Sequence, residues 1–269
     1  MRPKEEATTR MINTLKRKLE CGQAVVGPFL TLNCPDLVEL MGLTGFDFLI
    51  IDTEHGPMEA ESIQNLIRAA ELRGITPIVR VSDTRDVTIL KTLDVGAHGI
   101  QVPQVNSREA AESVVRSAKY FPAGTRGAAM PRASHYGLLP LDDYLASANR
   151  ETMVIVHCEN RAGLSCIEEI ASTPEVDVVF VGPYDLSQSL GFPGKVGTPQ
   201  VAGAVDRALK AAQGAGKPAG IFVTSTDEAR MRLDQGFRYI AYSMDSLLFA
   251  GACSQAVKAL KAHLGCKVE

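Results

Sequence analysis

Apolar, often β-branched runs alternate along this chain with segments whose apolar positions recur at helical spacing, from about residue 24 to the C-terminus. The strand-like runs are Ala24 to Thr31, Phe46 to Asp52, Pro77 to Val81, Gly99 to Val102, Met153 to Cys158, Val176 to Val181, Ala219 to Val223 and Tyr239 to Tyr242. Several are apolar at nearly every position, as parallel strands covered on both faces are. Between them, Ile63, Leu66, Ile67 and Ala70 form one apolar stripe, which Gly74 closes. Thr198 and Pro199 read as an N-cap and first helical residue ahead of Val201, Val205, Ala208 and Ala212. Ser225 and Glu228 have capping-box spacing, and Gly236 stands where that helix must stop.

Eight such βα rounds predict an α/β fold, a (β/α)8 TIM barrel. A doubly wound sheet would carry G-x-G-x-x-G after its first strand, and none is present. The length of 269 residues suits one barrel domain over 1–269. Residues 1–22 are expected to form an N-terminal helical extension: Met11, Ile12, Leu15 and Leu19 lie at helical spacing among charged residues, without the apolar core of a signal peptide. The longest interruption, Pro122 to Gly137, precedes a short helix expected near Leu141 to Asn149, and a loop of that length is usually functional or an oligomer contact.

Composition narrows the partners. With 45% hydrophobic and 22% charged residues the chain is too apolar for disorder. A net charge of -3 and the absence of Trp offer neither a basic field nor a strong stacking platform, so no nucleic acid is expected and a small-molecule substrate is. No apolar run approaches the ~20 residues that span a bilayer, so no membrane association is expected. Six cysteines without a C-x-x-C pair read as reduced thiols, and the expected location is cytoplasmic.

Active sites of TIM barrels are built where strands end and βα loops begin. Polar residues at those positions are Asp52, Glu54 and His55 after the second strand, Arg80 after the third, His157 and Glu159 at the fifth, and Asp185 after the sixth. Two carboxylates, Glu159 and Asp185, would repel one another at one mouth unless a cation or proton lay between them, and an oxygen-ligated divalent metal fits that need. Each could instead cap a helix or pair with an Arg. Arg80 offers fixed positive charge for a developing oxyanion, or a salt bridge to Asp83 or Asp86. His55 suits general acid/base work if Asp52 or Glu54 fixes its tautomer; otherwise it is structural, as His98, His135 and His263 are taken to be. No Lys stands at a strand end where a Schiff base would need it, which favours electrophilic catalysis by a metal.

The combination of Phe46 through His55, Val79-Arg80, Leu93 through Gly96, Pro122 through Gly127, Arg132-Ala133-Ser134 and Gly182 through Ser187 resembles the HpcH/HpaI class II pyruvate aldolases. The resemblance implies a divalent-metal-dependent lyase that cleaves or forms 4-hydroxy-2-oxo acids through a metal-bound pyruvate enolate. Glu159 and Asp185 would bind the metal (Mg2+, Mn2+ or Co2+), and Arg80 would neutralise the enolate oxygen. His55, supported by Asp52, would move the hydroxyl proton. The backbone from Gly182 to Asp185 would hold the pyruvate carboxylate, with Tyr184 acting through its N–H. It also implies a homo-oligomer, such as a hexamer that packs its last helix between subunits. An acyl-CoA lyase of the citryl or malyl type is the rival enzyme, and a non-catalytic metal and keto-acid binding barrel the rival outside enzymology. One departure stands out: the family commonly has Gln two residues before the metal Glu, where this chain has His157. His157 should share a strand face with Glu159. It is expected to alter the substrate contact or to add a nitrogen near the metal, favouring Mn2+, Co2+ or Zn2+ over Mg2+; alternatively, the imidazole simply replaces the amide as a hydrogen-bond donor.

Overall fold

The computed structural model describes residues 12–264. Eight parallel strands close into a barrel in sequence order, β1 pairing with β8: β1 (Val25–Leu30), β2 (Phe48–Asp52), β3 (Thr76–Arg80), β4 (Gly99–Val102), β5 (Met153–Cys158), β6 (Val178–Val181), β7 (Ala219–Val223) and β8 (Tyr239–Met244). The helices are α1 (Thr14–Glu20), α2 (Pro35–Leu43), α3 (Ala60–Arg73), α4 (Asp86–Asp94), α5 (Arg108–Ala118), α6 (Leu141–Glu151), α7 (Arg161–Ser165), α8 (Ile167–Ala171), α9 (Pro183–Ser189), α10 (Pro199–Gly214), α11 (Thr226–Gln235) and α12 (Asp245–His263). This is the (β/α)8 TIM barrel that the hydrophobic pattern predicts.

Side chains alternate across each strand. Phe48 and Ile50, Ile78, Met153 and Ile155, Phe180 and Tyr239 fill the barrel interior. Their neighbours Leu49, Ile51, Val79, Val154, Val156 and Val179 pack outward with the helices. Burial on both faces is why the strands read as unbroken apolar runs.

β4, β5 and β7 occupy the expected runs. β6 starts later, because Val176 is buried in a turn in which its N–H donates to Thr173 O, outside the ladder. β8 runs on to Met244. Gly74 and Gly236 end α3 and α11 in the left-handed conformation, at φ 69° and 110°. Ser225 accepts from Glu228 N, but the Glu228 carboxylate reaches Thr224 N instead of closing a reciprocal box. Thr198 stands at the N-cap of α10 without capping it, since its hydroxyl donates to Lys195 O. The Pro122 to Gly137 segment ends in a 3-10 turn over Arg132–Gly137, and α6 runs two residues past the expected Asn149. Of the expected N-terminal extension, the described part is α1, which buries Leu15 and Leu19 under the barrel; residues 1–11 lie outside the described region.

At the opposite end, α12 buries only Asp245 and leaves Leu247, Phe249, Val257 and Leu260 exposed. The Asp245 carboxylate accepts from the N–H groups of Thr31 and Leu32, tying the end of β1 to the start of α12. No helix among the described residues is long and apolar enough to cross a membrane.

At Gly27 the backbones of β1 and β2 leave no room for a side chain: a Cβ there would lie 2.1 Å from the carbonyl oxygen of Phe48. Backbone cannot yield as a flexible side chain can, so Gly27→Ala should destabilise the barrel by about 1–3 kcal/mol. Thermal unfolding would show this as a Tm lower by several degrees; an unchanged Tm would refute the close approach.

Candidate active site

The polar residues at the strand ends follow the inward parity of the residues before them. Asp52 succeeds Ile50 on β2, and Arg80 succeeds Ile78 on β3. The two are register partners on adjacent strands, so carboxylate and guanidinium meet side by side. Arg80 Nε and Nη2 donate to Asp52 Oδ1 and Oδ2 at 2.8 and 2.6 Å, a bidentate pair. Arg80 Nη1 lies 3.2 Å from Glu54 Oε2, and the guanidinium carbon sits 4.7 Å over the Phe29 ring. The alternative partner Asp83 is instead bound by Arg85. Burial pushes the Glu54 carboxyl above its ordinary range, against the pull of Arg80.

Asp52 Oδ1 also accepts from the backbone N–H groups of Glu54 and His55, at 3.1 and 3.3 Å. This fixes the turn that carries His55 to the exposed rim. The expected pairing of the His55 imidazole with Asp52 is not formed: the carboxylate is already engaged by Arg80 and by backbone donors. Asp52 therefore positions His55 through its main chain.

On β5, His157 and Glu159 face inward and both are buried. Burial pushes the Glu159 carboxyl upward. The adjacent His157, the Gln104 N–H and the charge of Arg80 more than offset that, leaving it below the usual carboxylate range. Glu159 Oε1 accepts from Gln104 N at 2.7 Å, and Oε2 lies 2.7 Å from His157 Nδ1. His157 Nε2 is 2.8 Å from Gln101 Nε2, so both ring nitrogens have partners within the chain and neither is left for a metal in this arrangement. The imidazole holds Glu159 where the sequence suggested an additional nitrogen ligand.

Asp185 is exposed in the first turn of α9, whose N-cap is Gly182. A Cβ on Gly182 would lie 3.1 Å from Glu159 Oε2 and 3.9 Å from Asp185 Oδ2. The bare Cα thus keeps open a space that both carboxylates border. Among the described residues no group of three or more His, Cys, Asp and Glu side chains is placed to hold a metal. A hard divalent cation nevertheless fits two carboxylates, with water or substrate completing its shell. Each Glu159 oxygen accepts one of the hydrogen bonds described above, which leaves it a further lone pair.

Phe222 is edge-on to Tyr184 at 6.0 Å and to Phe29 at 5.7 Å, and these rings make an apolar wall beside Arg80. Three residues of the site were not singled out from the sequence. Gln101 follows Gly99 with inward parity on β4, and that parity was a usable signal. Tyr239 reads as ordinary core until its hydroxyl is seen 3.2 Å from Gln101 Oε1. Gln104 holds φ at 56°, a left-handed conformation for a non-glycine residue that side-chain pattern does not foretell.

A parallel barrel with ionised groups gathered at the carboxyl ends of its strands is an enzyme's architecture. The chain belongs to the HpcH/HpaI aldolase/citrate lyase family, whose model matches residues 26–252, and is thereby a carbon–carbon lyase. It is 36% identical to a hydroxypyruvate/pyruvate aldolase from Roseobacter denitrificans, over 87% of this chain and 91% of that one. It is 35% identical to a 4-hydroxy-2-oxo-heptane-1,7-dioate aldolase from Shigella flexneri, over 95% and 94%. A crystal structure of an HpcH/HpaI aldolase/citrate lyase family protein from Burkholderia cenocepacia superposes with a TM-score of 0.89 at 34% identity, covering 93% of this chain and all of that one.

The Asp52–Arg80 pair gives a stability prediction. Asp52→Ala strands a guanidinium whose side chain is 11% exposed and should cost about 3 kcal/mol, the low end for breaking a buried pair, because Glu54 still faces it. The double variant Asp52→Leu, Arg80→Met should recover most of that loss in urea unfolding. Equal stability of Asp52→Ala and wild type would contradict the pairing.

Proposed function

We propose that this enzyme cleaves 4-hydroxy-2-oxo acids into pyruvate and an aldehyde, and catalyses the reverse condensation. The observation that carries the reading is the meeting of a buried, ionised Glu159 and the Gly182 cradle with the cationic Arg80 at one barrel mouth. Glu159 and Asp185 would hold a divalent cation (Mg2+, Mn2+ or Co2+), which supplies Lewis acidity and a template for the keto acid when bound.

The protein's own residues account for the remaining chemistry. Asp52 engages Nε and Nη2 of the Arg80 guanidinium and Glu54 lies 3.2 Å from Nη1, whose second N–H faces developing negative charge on the keto oxygen. His55, at the exposed rim, removes the proton of the 4-hydroxyl, directly or through a water. The bond between C3 and C4 then breaks: its electron pair passes to the pyruvate fragment as the enolate, C4 leaves as the aldehyde carbonyl, and a proton returned to C3 completes pyruvate. The backbone N–H groups of Tyr184 and Asp185, in the first turn of α9, have no partner within that helix and receive the substrate carboxylate. His157 acts through Glu159. The aldehyde portion lies along Phe222, the Tyr184 ring and Met244.

We read the enzyme as a cytoplasmic homo-oligomer. The described cysteines are free thiols, as a reducing compartment requires, and the exposed apolar residues of α12 suit packing against another copy, with a hexamer as the form the family resemblance implies.

Purified enzyme supplied with a panel of 4-hydroxy-2-oxo acids should release pyruvate, lose that activity to a chelator and regain it with Mg2+, Mn2+ or Co2+. Arg80→Met should lower kcat by about 10²–10³-fold. Turnover of malyl-CoA with none of the hydroxy-oxo acids, or pyruvate release indifferent to chelation, would overturn the reading.

A further inference from the structure

Four polar side chains run in a line through the barrel interior, from the first residue of β8 to the mouth. Tyr239, Gln101, His157 and Glu159 are between 0% and 3% exposed, so bulk water satisfies none of them and they must satisfy one another. The links are Tyr239 Oη to Gln101 Oε1 at 3.2 Å, Gln101 Nε2 to His157 Nε2 at 2.8 Å, and His157 Nδ1 to Glu159 Oε2 at 2.7 Å. Steric walls hold the line in place. Phe48 stacks on Tyr239 at 4.3 Å, and Phe180 lies 4.9 Å from the His157 ring and edge-on to Tyr239 at 6.0 Å.

The chemistry of the far end gives the line one direction. An imidazole that accepts at Nε2 keeps its proton on Nδ1, which faces Glu159 Oε2. At the far end, Gln101 Oε1 is the only hydrogen-bond partner of the Tyr239 hydroxyl among the described residues. If the Gln101 amide turned over, that buried O–H would lose its acceptor, at the cost of an unmet polar group. With the oxygen held toward Tyr239, the amide N–H faces His157 Nε2, which must then be unprotonated.

We propose that Tyr239 and Gln101 are positioning residues that hold His157 as its neutral, Nδ1-protonated tautomer, so that its N–H is always aimed at Glu159. The N–H of Gln104 fixes the other oxygen, and the plane of the carboxylate is set by both donors. The lone pairs that Glu159 turns to the mouth are thereby oriented before any ligand arrives. This inference rests on the reading of Glu159 as a metal-binding carboxylate only for its catalytic consequence.

Long-range proton–nitrogen NMR of metal-free, histidine-labelled protein reads the tautomer, with the His157 signal assigned by its loss in His157→Gln. The wild type should show a protonated Nδ1 and an unprotonated Nε2. Tyr239→Phe, which removes one oxygen and keeps the ring packing, and Gln101→Leu should each shift His157 towards a mixture of tautomers. Mn2+ affinity, titrated by electron paramagnetic resonance, should fall about 10-fold or more in Gln101→Leu, the scale seen when an outer partner of a metal ligand is lost. An Nε2-protonated His157 in the wild type, or a wild-type pattern in both folded variants, would overturn the proposal. A wild type that fails to bind Mn2+ would overturn the metal reading instead, while the NMR pattern still decides the tautomer.

Discussion

The bidentate contact between Arg80 and Asp52 is the constraint around which the rest of the mouth is arranged. A guanidinium can stay charged inside a barrel lined with Phe29, Ile50 and Ile78 only if a carboxylate answers it directly, and the β2–β3 register puts that carboxylate alongside. Once engaged in this way, Asp52 has remaining acceptor capacity only for the amides of Glu54 and His55, and this shapes the turn at the rim. The Arg80 charge also reaches Glu54 and Glu159, lowering the cost of ionising either. One ion pair, placed by the strand register, thus shapes a turn and eases the ionisation of two further acids, although burial still governs Glu54 and His157 contributes more than Arg80 at Glu159.

On the other side of the mouth, Glu159 is controlled by hydrogen bonds instead. Its two donors come from different elements: the His157 side chain of β5, and the main chain of Gln104 just after β4. Gln104 pays for its role with a left-handed backbone, of the kind that tends to gather at working sites. Asp185 is held by no comparable network and stands exposed in the first turn of α9. The two carboxylates therefore differ in how they are held, Glu159 by two donors in the interior and Asp185 in the open at the start of a helix.

Much of this was legible in the sequence, because burial on both faces of a parallel strand leaves a hydrophobic signal that few other elements give. The strand-end filter found Asp52, Arg80, His157, Glu159 and Asp185 for the same reason: a polar residue ending an apolar run has to be accounted for. Partnerships were harder to read. That Asp52 would bind Arg80 and not the imidazole of His55 depends on register between neighbouring strands. Gln101 and Tyr239 are joined across the barrel from positions 138 residues apart, and neither looks unusual beside its sequence neighbours. Thr198 takes the N-cap position that the pattern predicts, but its hydroxyl turns to a local acceptor, Lys195 O, and leaves the helix amides uncapped.

Gly182 divides the mouth into two halves with different freedom to change. With the carboxylate of Glu159 lying against its missing side chain, any substitution there would push into the space that Glu159 and Asp185 border, so that half can tolerate little drift. Phe222 and Met244, partly buried against the barrel interior, have apolar neighbours in place of a carboxylate, so a change there alters volume alone. Variation in what the enzyme accepts would then accumulate on the side of these two residues, leaving a fixed chemical engine with an exchangeable fitting.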